Sequence, residues 1–233
     1  NYPRFFAIPF NSSLNKEDVQ RKEYQRISLE NLLAFNAVIC MSCYTIHNQE
    51  LDEKAAEGSS GGKTTYLKNL NLDLTQMSMG RWNQVARDAS KFLEENQALR
   101  KDFYHPIYEL YHGQHKGNWN KWVNDLISRR NQDAHGAISS SEELQRELEE
   151  RQELLNRVFE LCAFYQDCMV ISPLSEEYRD GKIVHVVRTF QGLEESAKSL
   201  SGPVEGELNE GIPYLILNSC LPLSLHPFVI FRV

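Results

Sequence analysis

Apolar residues recur at helical spacing through the first 170 or so positions, then gather in short dense runs. Between Ile27 and Ile46 they include Leu29, Leu32, Leu33, Phe35, Val38, Ile39, Met41 and Tyr44. That density predicts a buried helix of a bundle. Residues 13–29 are polar and charged and read as its lead-in. Residues 48–64 turn acidic and then Gly/Ser-rich (Gly58-Ser59-Ser60-Gly61-Gly62), the composition of a mobile loop. Thr75 to Phe92, which includes Met79-Gly80-Arg81-Trp82, predicts an amphipathic helix. Phe103–Tyr111 and Trp119–Ile127 predict two more. At Ser139-Ser140-Ser141 a serine cap followed by Glu142 and Glu143 marks a helix start. The stripe Leu144, Leu148, Leu154, Leu155, Val158, Phe159, Leu161, Phe164 carries that helix to about Cys168.

Beyond it, Val170-Ile171, Ile183–Val187, Tyr214–Leu217 and Phe228–Phe231 are β-rich runs separated by Gly181, Gly192, Gly202 and Pro222. This spacing predicts a strand meander. The expected fold class is therefore mainly α: a helical bundle followed by a small antiparallel β-rich C-terminal module. The boundaries fall at 1–24 for an N-terminal lead-in, 25–169 for the bundle and 170–233 for the β-rich appendage. The last run reads as a strand cut in mid-sheet, and the chain as a fragment of a longer protein.

Composition narrows the function classes. The 233 residues are enough for one or two domains, and 41% hydrophobic with 24% charged residues is an ordinary globular balance. No apolar run is read as approaching the roughly 20 residues of a membrane span. The start, Asn1-Tyr2-Pro3-Arg4-Phe5-Phe6, lacks the charged region and long apolar core of a signal peptide. A net charge of −7 argues against broad duplex binding but leaves room for a local basic site. Such a stretch runs from His112 to His135, where Lys116, Lys121, Arg129 and Arg130 face only Asp125 and Asp133. Acidic residues gather instead between Glu142 and Glu153. Five Cys without a disulfide framework fit a reducing cytoplasm.

Within that stretch, Arg129-Arg130-Asn131-Gln132-Asp133-Ala134-His135-Gly136 carries the candidate chemistry. His moves a proton near neutral pH, and Arg stays charged and can stabilise a phosphorane. Together they suffice to cleave RNA with no metal and no cofactor. On one continuous helix, residues five apart are turned by roughly 140°. Arg130 and His135 therefore converge only through a break near Gly136 or across the two-fold axis of a homodimer. Arg100-x4-His105 and Arg179-x5-His185 fit the loose pattern but lack the Asn and the helix-junction setting. Read blandly, Arg130 is a helix C-terminal cation and His135 an ordinary loop residue.

The phrase Arg130-Asn131-x3-His135, followed by Gly136 and set between helices, resembles the HEPN superfamily of prokaryotic toxin and phage-defence ribonucleases. The Met79–Trp82 helix entry also looks like that family. The resemblance covers roughly 25–170. The β-rich tail is similar to the sheet appendage of some defence proteins. The resemblance implies a composite Arg/His site at a homodimer interface, attack by the RNA 2′-OH, and 2′,3′-cyclic phosphate and 5′-OH ends. It makes His135 the general acid/base or phosphate orienter, Arg130 the phosphate ligand and Asn131 the residue that fixes the motif. Arg129 and Asp133 become flanking tuners, with Lys116 and Lys121 in the basic surround. It implies a cytoplasmic effector of antiviral defence or a toxin–antitoxin pair, acting on RNA such as tRNA loops, with a regulatory domain or antitoxin as partner and no membrane. The tyrosine that some members carry two residues after the His is Ala137 here, so that route of regulation is not supported. The other implied reading is a catalytically silent HEPN-like module that binds nucleotide, RNA or protein and assembles a larger defence complex.

Four further features carry weaker signals. Gly58–Thr64 is not a P-loop, since Glu57 stands where the first Gly is needed. Cys40-x2-Cys43 with His47 could hold a metal, but buried thiols are the favoured reading. His105, His112 and His115 read as solvated helix-end histidines, with phosphate binding as the sharper alternative. Trp119 and Trp122 read as core more readily than as base-stacking platforms.

Overall fold

The computed structural model describes residues 2–16, 18–56, 77–133, 140–179, 182–192, 194–201, 208–217 and 222–229. Along these run α1 (Arg4–Asn15), α2 (Asp18–Ala56), α3 (Met79–Glu95), α4 (Lys101–Tyr111), α5 (Lys116–Asp133) and α6 (Ser141–Leu161). A short 3-10 helix, Ala163–Asp167, leads into β1 (Cys168–Arg179), β2 (Lys182–Gln191), β3 (Glu194–Ser201), β4 (Tyr214–Leu217) and β5 (Leu223–Ser224). The fold is mainly helical with a small antiparallel C-terminal sheet, as the hydrophobic pattern predicts.

Helix α2 is the axis of the molecule. Its 39 residues reach about 58 Å at 1.5 Å per residue. It absorbs most of the polar stretch expected as a lead-in, from Asp18 on, and residues 48–56, expected as loop. Good helix formers (Glu50, Leu51, Glu53, Lys54, Ala55, Ala56) extend it past the buried stripe. Within Gln20–Leu51, an 18-residue window also has the length and mean hydropathy, 1.4, of a membrane span, which corrects the expectation that no such run exists. In the fold 72% of that window is buried, because Leu32, Leu33, Ile39, Cys40 and Cys43 are fully enclosed by neighbouring helices.

The stretch before α2 is structured as well. Phe6 and Ser13 of α1 are wholly buried, and Phe6 meets Phe35, Phe159 and Tyr165 in an aromatic cluster. Pro9 lies inside α1 and cannot donate to the carbonyl of Phe5, four residues back. Asn31 of α2 fills that gap by donating its Nδ2 to Phe5 O at 2.6 Å. The helix tolerates its proline because a neighbouring helix satisfies the freed acceptor.

The sheet has the order β3-β2-β1-β4-β5, with every pairing antiparallel. Val170, Phe190, Leu215 and Leu223 join the same buried cluster as the helices, whereas Ile171, Val187, Leu208 and Tyr214 form a second cluster. Alternation along β1 and β2 thus gives the sheet two apolar faces. The β1–β2 register shifts between Pro173 and Ser175, where proline cannot donate to the ladder. Three expectations are corrected here. Phe228 and Val229 lie outside the strands, in and after a turn, and the edge strand is Leu223–Ser224. The polar segment Glu194–Ser201 is a strand with no apolar run to announce it. Helix α6 ends at Leu161, and the 3-10 helix takes the chain on to the sheet.

Candidate functional site

The motif begins on the last turn of α5. Trp119 (0% exposed), Val123 (0%) and Leu126 (7%) seat that helix in the core, leaving Arg130, Asn131 and Gln132 exposed at its end. Asp133 closes the helix. His135 and Gly136 lie outside the described residues, as does the Gly58–Thr64 segment. Past them, α6 opens with a capping box. Ser140 Oγ accepts from Glu143 N at 3.3 Å, and Glu143 Oε2 accepts from Ser140 N at 3.0 Å. Those bonds hold the Glu143 carboxyl below its usual range. This start is where the three-serine phrase predicts it.

The two adjacent arginines differ in their partners. Arg130 donates from Nη1 to Asn131 Oδ1 at 3.1 Å, so the first two members of the motif touch. No carboxylate among the described side chains is recorded pairing with Arg130. Arg129 is already engaged, donating to Glu150 at 3.0 Å and to Asp125 at 3.2 Å. Partial burial works against its charge, but the bonds to Glu150 and Asp125 outweigh this and hold the guanidinium above its ordinary value. Arg129 therefore joins α5 to α6, with its Nε and Nη1 both engaged.

Lys116 and Lys121 are exposed on α5 but do not gather around Arg130. At 1.5 Å and 100° per residue, Lys116 shares its face at ~21 Å, while Lys121 is ~14 Å away and turned by ~180°. The nearest stretch of α6 is acidic, with Glu142, Glu143, Glu147, Glu149 and Glu150 set against Arg146. The carbonyl end of α5 is also electronegative. Within one copy, the field around Arg130 is poorly suited to a polyanion.

Sequence reasoning missed Arg151 of α6, which is 5% exposed. It pairs with Glu147 and donates a long bond, 3.4 Å, to the carbonyl of Arg129. A signal was present in the pattern. Arg151 and Gln152 interrupt the apolar stripe between Leu148 and Leu155, where a polar residue must find partners. Gln152 also finds them, accepting from Ser13 Oγ at 2.9 Å and from Gln25 Nε2 at 3.1 Å.

The remaining candidates resolve as structure. Cys40, Cys43, Cys162 and Cys168 are buried and unbridged, and burial pushes the thiols of Cys40, Cys43 and Cys162 well up. Trp119 is core, and Trp122 packs against it with Arg157 5.8 Å over its ring. His105 bonds Glu94 through Nδ1 at 3.1 Å, and His112 donates from Nε2 to the carbonyl of Arg87 at 2.9 Å. His185 is buried in β2, 3.4 Å from Glu176. Among the described residues, no three His, Cys, Asp or Glu are arranged to hold a metal ion. Two hollows formed by described residues, one beside Phe103 and Tyr165 and one beside Phe5, Tyr24 and Phe190, include none of the motif residues.

No family model, curated protein or solved structure matches the chain. Any assignment of function therefore rests on the motif and its setting.

Proposed function

We propose that this chain is a metal-independent endoribonuclease of the HEPN type, acting as a homodimer in antiviral defence or as a toxin. The observation that carries this is the exposed Arg130 guanidinium on the last turn of α5. It touches Asn131 of the same phrase, while its neighbour Arg129 is occupied by carboxylates. His135 takes the proton from an RNA 2′-OH or delivers one to the leaving 5′-oxygen. The 2′-oxygen bonds to phosphorus as the bond to the 5′-oxygen breaks, which gives a 2′,3′-cyclic phosphate and a 5′-OH end. Arg130 neutralises the charge that develops on the phosphorane. Two copies meeting at this surface supply two Arg/His pairs. Single-stranded RNA is the favoured substrate, because its sugar–phosphate can rotate into line.

A silent HEPN-like module that assembles a complex is the second reading, favoured by the five glutamates along the first turns of α6. The test is incubation of wild type and Arg130→Ala with single-stranded RNA and tRNA in EDTA, with the product ends mapped. Cyclic-phosphate ends from wild type alone support the enzyme. No cleavage together with tight RNA or protein binding favours the module.

A further inference from the structure

Helices α5 and α6 exchange arginines where the motif begins. From α5, Arg129 reaches across to Glu150 at 3.0 Å and back one turn to Asp125 at 3.2 Å. From α6, Arg151 reaches the other way to the carbonyl oxygen of Arg129 at 3.4 Å. Glu147, one turn before Arg151, pairs with the same guanidinium nitrogen. The carbonyl that Arg151 grips belongs to the peptide whose nitrogen is that of Arg130. The residue before Arg130 is thus held by its side chain and by its main chain, both from α6.

This arrangement has a cost that packing alone does not explain. The side chain of Arg151 is 7% exposed, on a stripe where Leu148 and Leu155 are buried. Replacing a buried ion pair by apolar residues is often neutral or stabilising. A helix C-terminus also leaves its last four carbonyls without intrahelical partners, and such ends fray. The carbonyl of Arg129 lies just inside those last four, so a buried arginine spent on it, next to the exposed Arg130, fixes the angle at which α5 presents its final turn.

We propose that Arg151 and Arg129 are an interlocked pair of positioning residues that hold Arg130 in register for the scissile phosphate; this rests on the reading of Arg130 as the phosphate ligand. Neither touches the reacting atoms. Misplacing a catalytic group by ~1 Å costs on the order of 100-fold in rate. Arg151→Met should therefore lower kcat by ~10–100-fold with KM little changed.

The test measures RNA cleavage in EDTA for wild type, Arg151→Met, Arg151→Lys, Arg130→Lys and the double variant Arg130→Lys/Arg151→Met. If Arg151 acts through Arg130, Arg151→Met loses most of its effect in the Arg130→Lys background, and Arg151→Lys recovers part of kcat. An equal loss in both backgrounds, or full activity of Arg151→Met, overturns the proposal. Should wild type cut no RNA at all, the ribonuclease reading falls, and amide hydrogen exchange decides the interlock alone. Faster exchange in Arg151→Met confined to residues 127–133 keeps it as a device that sets the end of α5. Exchange raised throughout α2 and α6 makes Arg151 a packing residue and overturns it.

Discussion

Replacing Asn36 by Leu removes the acceptor used by the Tyr165 hydroxyl in the middle of the bundle. Asn36 is 0% exposed and Tyr165 1%, so water does not substitute for the lost bond. A buried donor left unsatisfied costs about 1–3 kcal/mol. Two features hold the figure toward the low end. Leu is close enough to Asn in size to leave no large cavity. The Asn36 Nδ2 has no hydrogen-bond partner among the described residues, although its amide lies near enough to the Tyr111 hydroxyl to temper the rise that burial imposes on that phenol. Removing it recovers part of its own desolvation cost. The expected loss is about 1–2 kcal/mol, or roughly 2–8 °C in Tm for a chain of this size. Adding Tyr165→Phe removes the stranded hydroxyl, so the double variant should be more stable than Asn36→Leu alone. Urea unfolding at pH 7, followed by circular dichroism and tryptophan fluorescence, reads both quantities. An Asn36→Leu protein within about 0.5 kcal/mol of wild type, or a double variant less stable than the single, would refute the reasoning.

Backbone strain makes a pair of opposite predictions. Gln97 is exposed at φ +48°, so Gln97→Gly should stabilise by about 0.5 kcal/mol, whereas Gly211 sits at φ +75° with open space around it, so Gly211→Ala should destabilise by about 1 kcal/mol; thermal melts read both. Glu94 is partly desolvated, which raises its pKa, but bonds to Lys101 and His105 prevail and hold its carboxyl below the ordinary 4.5. Its contribution is therefore fully present above 4.5 and lost as pH falls through the lower folded value, so Glu94→Gln should flatten the acid limb of a stability–pH profile. Native protein treated with a thiol reagent and mapped by mass spectrometry should show Cys40, Cys43, Cys162 and Cys168 unmodified until denaturant is added.

Much of the helical frame was legible because its elements bury one stripe each. Leu148, Leu155, Val158 and Phe159 announce α6, and Ser140 with Glu143 announces its cap. The thiols of Cys40 and Cys43 read correctly as core because they continue the stripe of α2. What failed was signalled by tertiary partners instead. Nothing local to α1 tells that Asn31 will satisfy the acceptor freed by Pro9, and residues 1–24 read only as a lead-in. Strand β3 gains order by pairing with β2, from Val184–Ser201 to Gln191–Glu194, and its polar sequence carries no alternation to reveal this. At the candidate site, the sequence pattern ended the helix near Ile127, whereas α5 runs on to Asp133 and carries Arg130 and Asn131 on its last turn. Composition counted Arg129, Lys116 and Lys121 as one basic patch, because charge in sequence does not show that Asp125 and Glu150 already hold Arg129 or that Lys121 faces away. Arg151 was the informative residue, a charge in the middle of an apolar stripe.

The central claim, RNA cleavage by 2′-OH attack at the Arg130/His135 motif, is tested most directly with one single-stranded RNA and its counterpart carrying a 2′-deoxy sugar at the mapped cleavage position. Both are incubated in EDTA with wild type and with His135→Ala. The account predicts that wild type cuts the all-ribose strand to a cyclic-phosphate end, leaves the deoxy position intact, and loses activity in His135→Ala without unfolding. Cleavage at the deoxy position, or equal cutting by the His135→Ala protein, would contradict it.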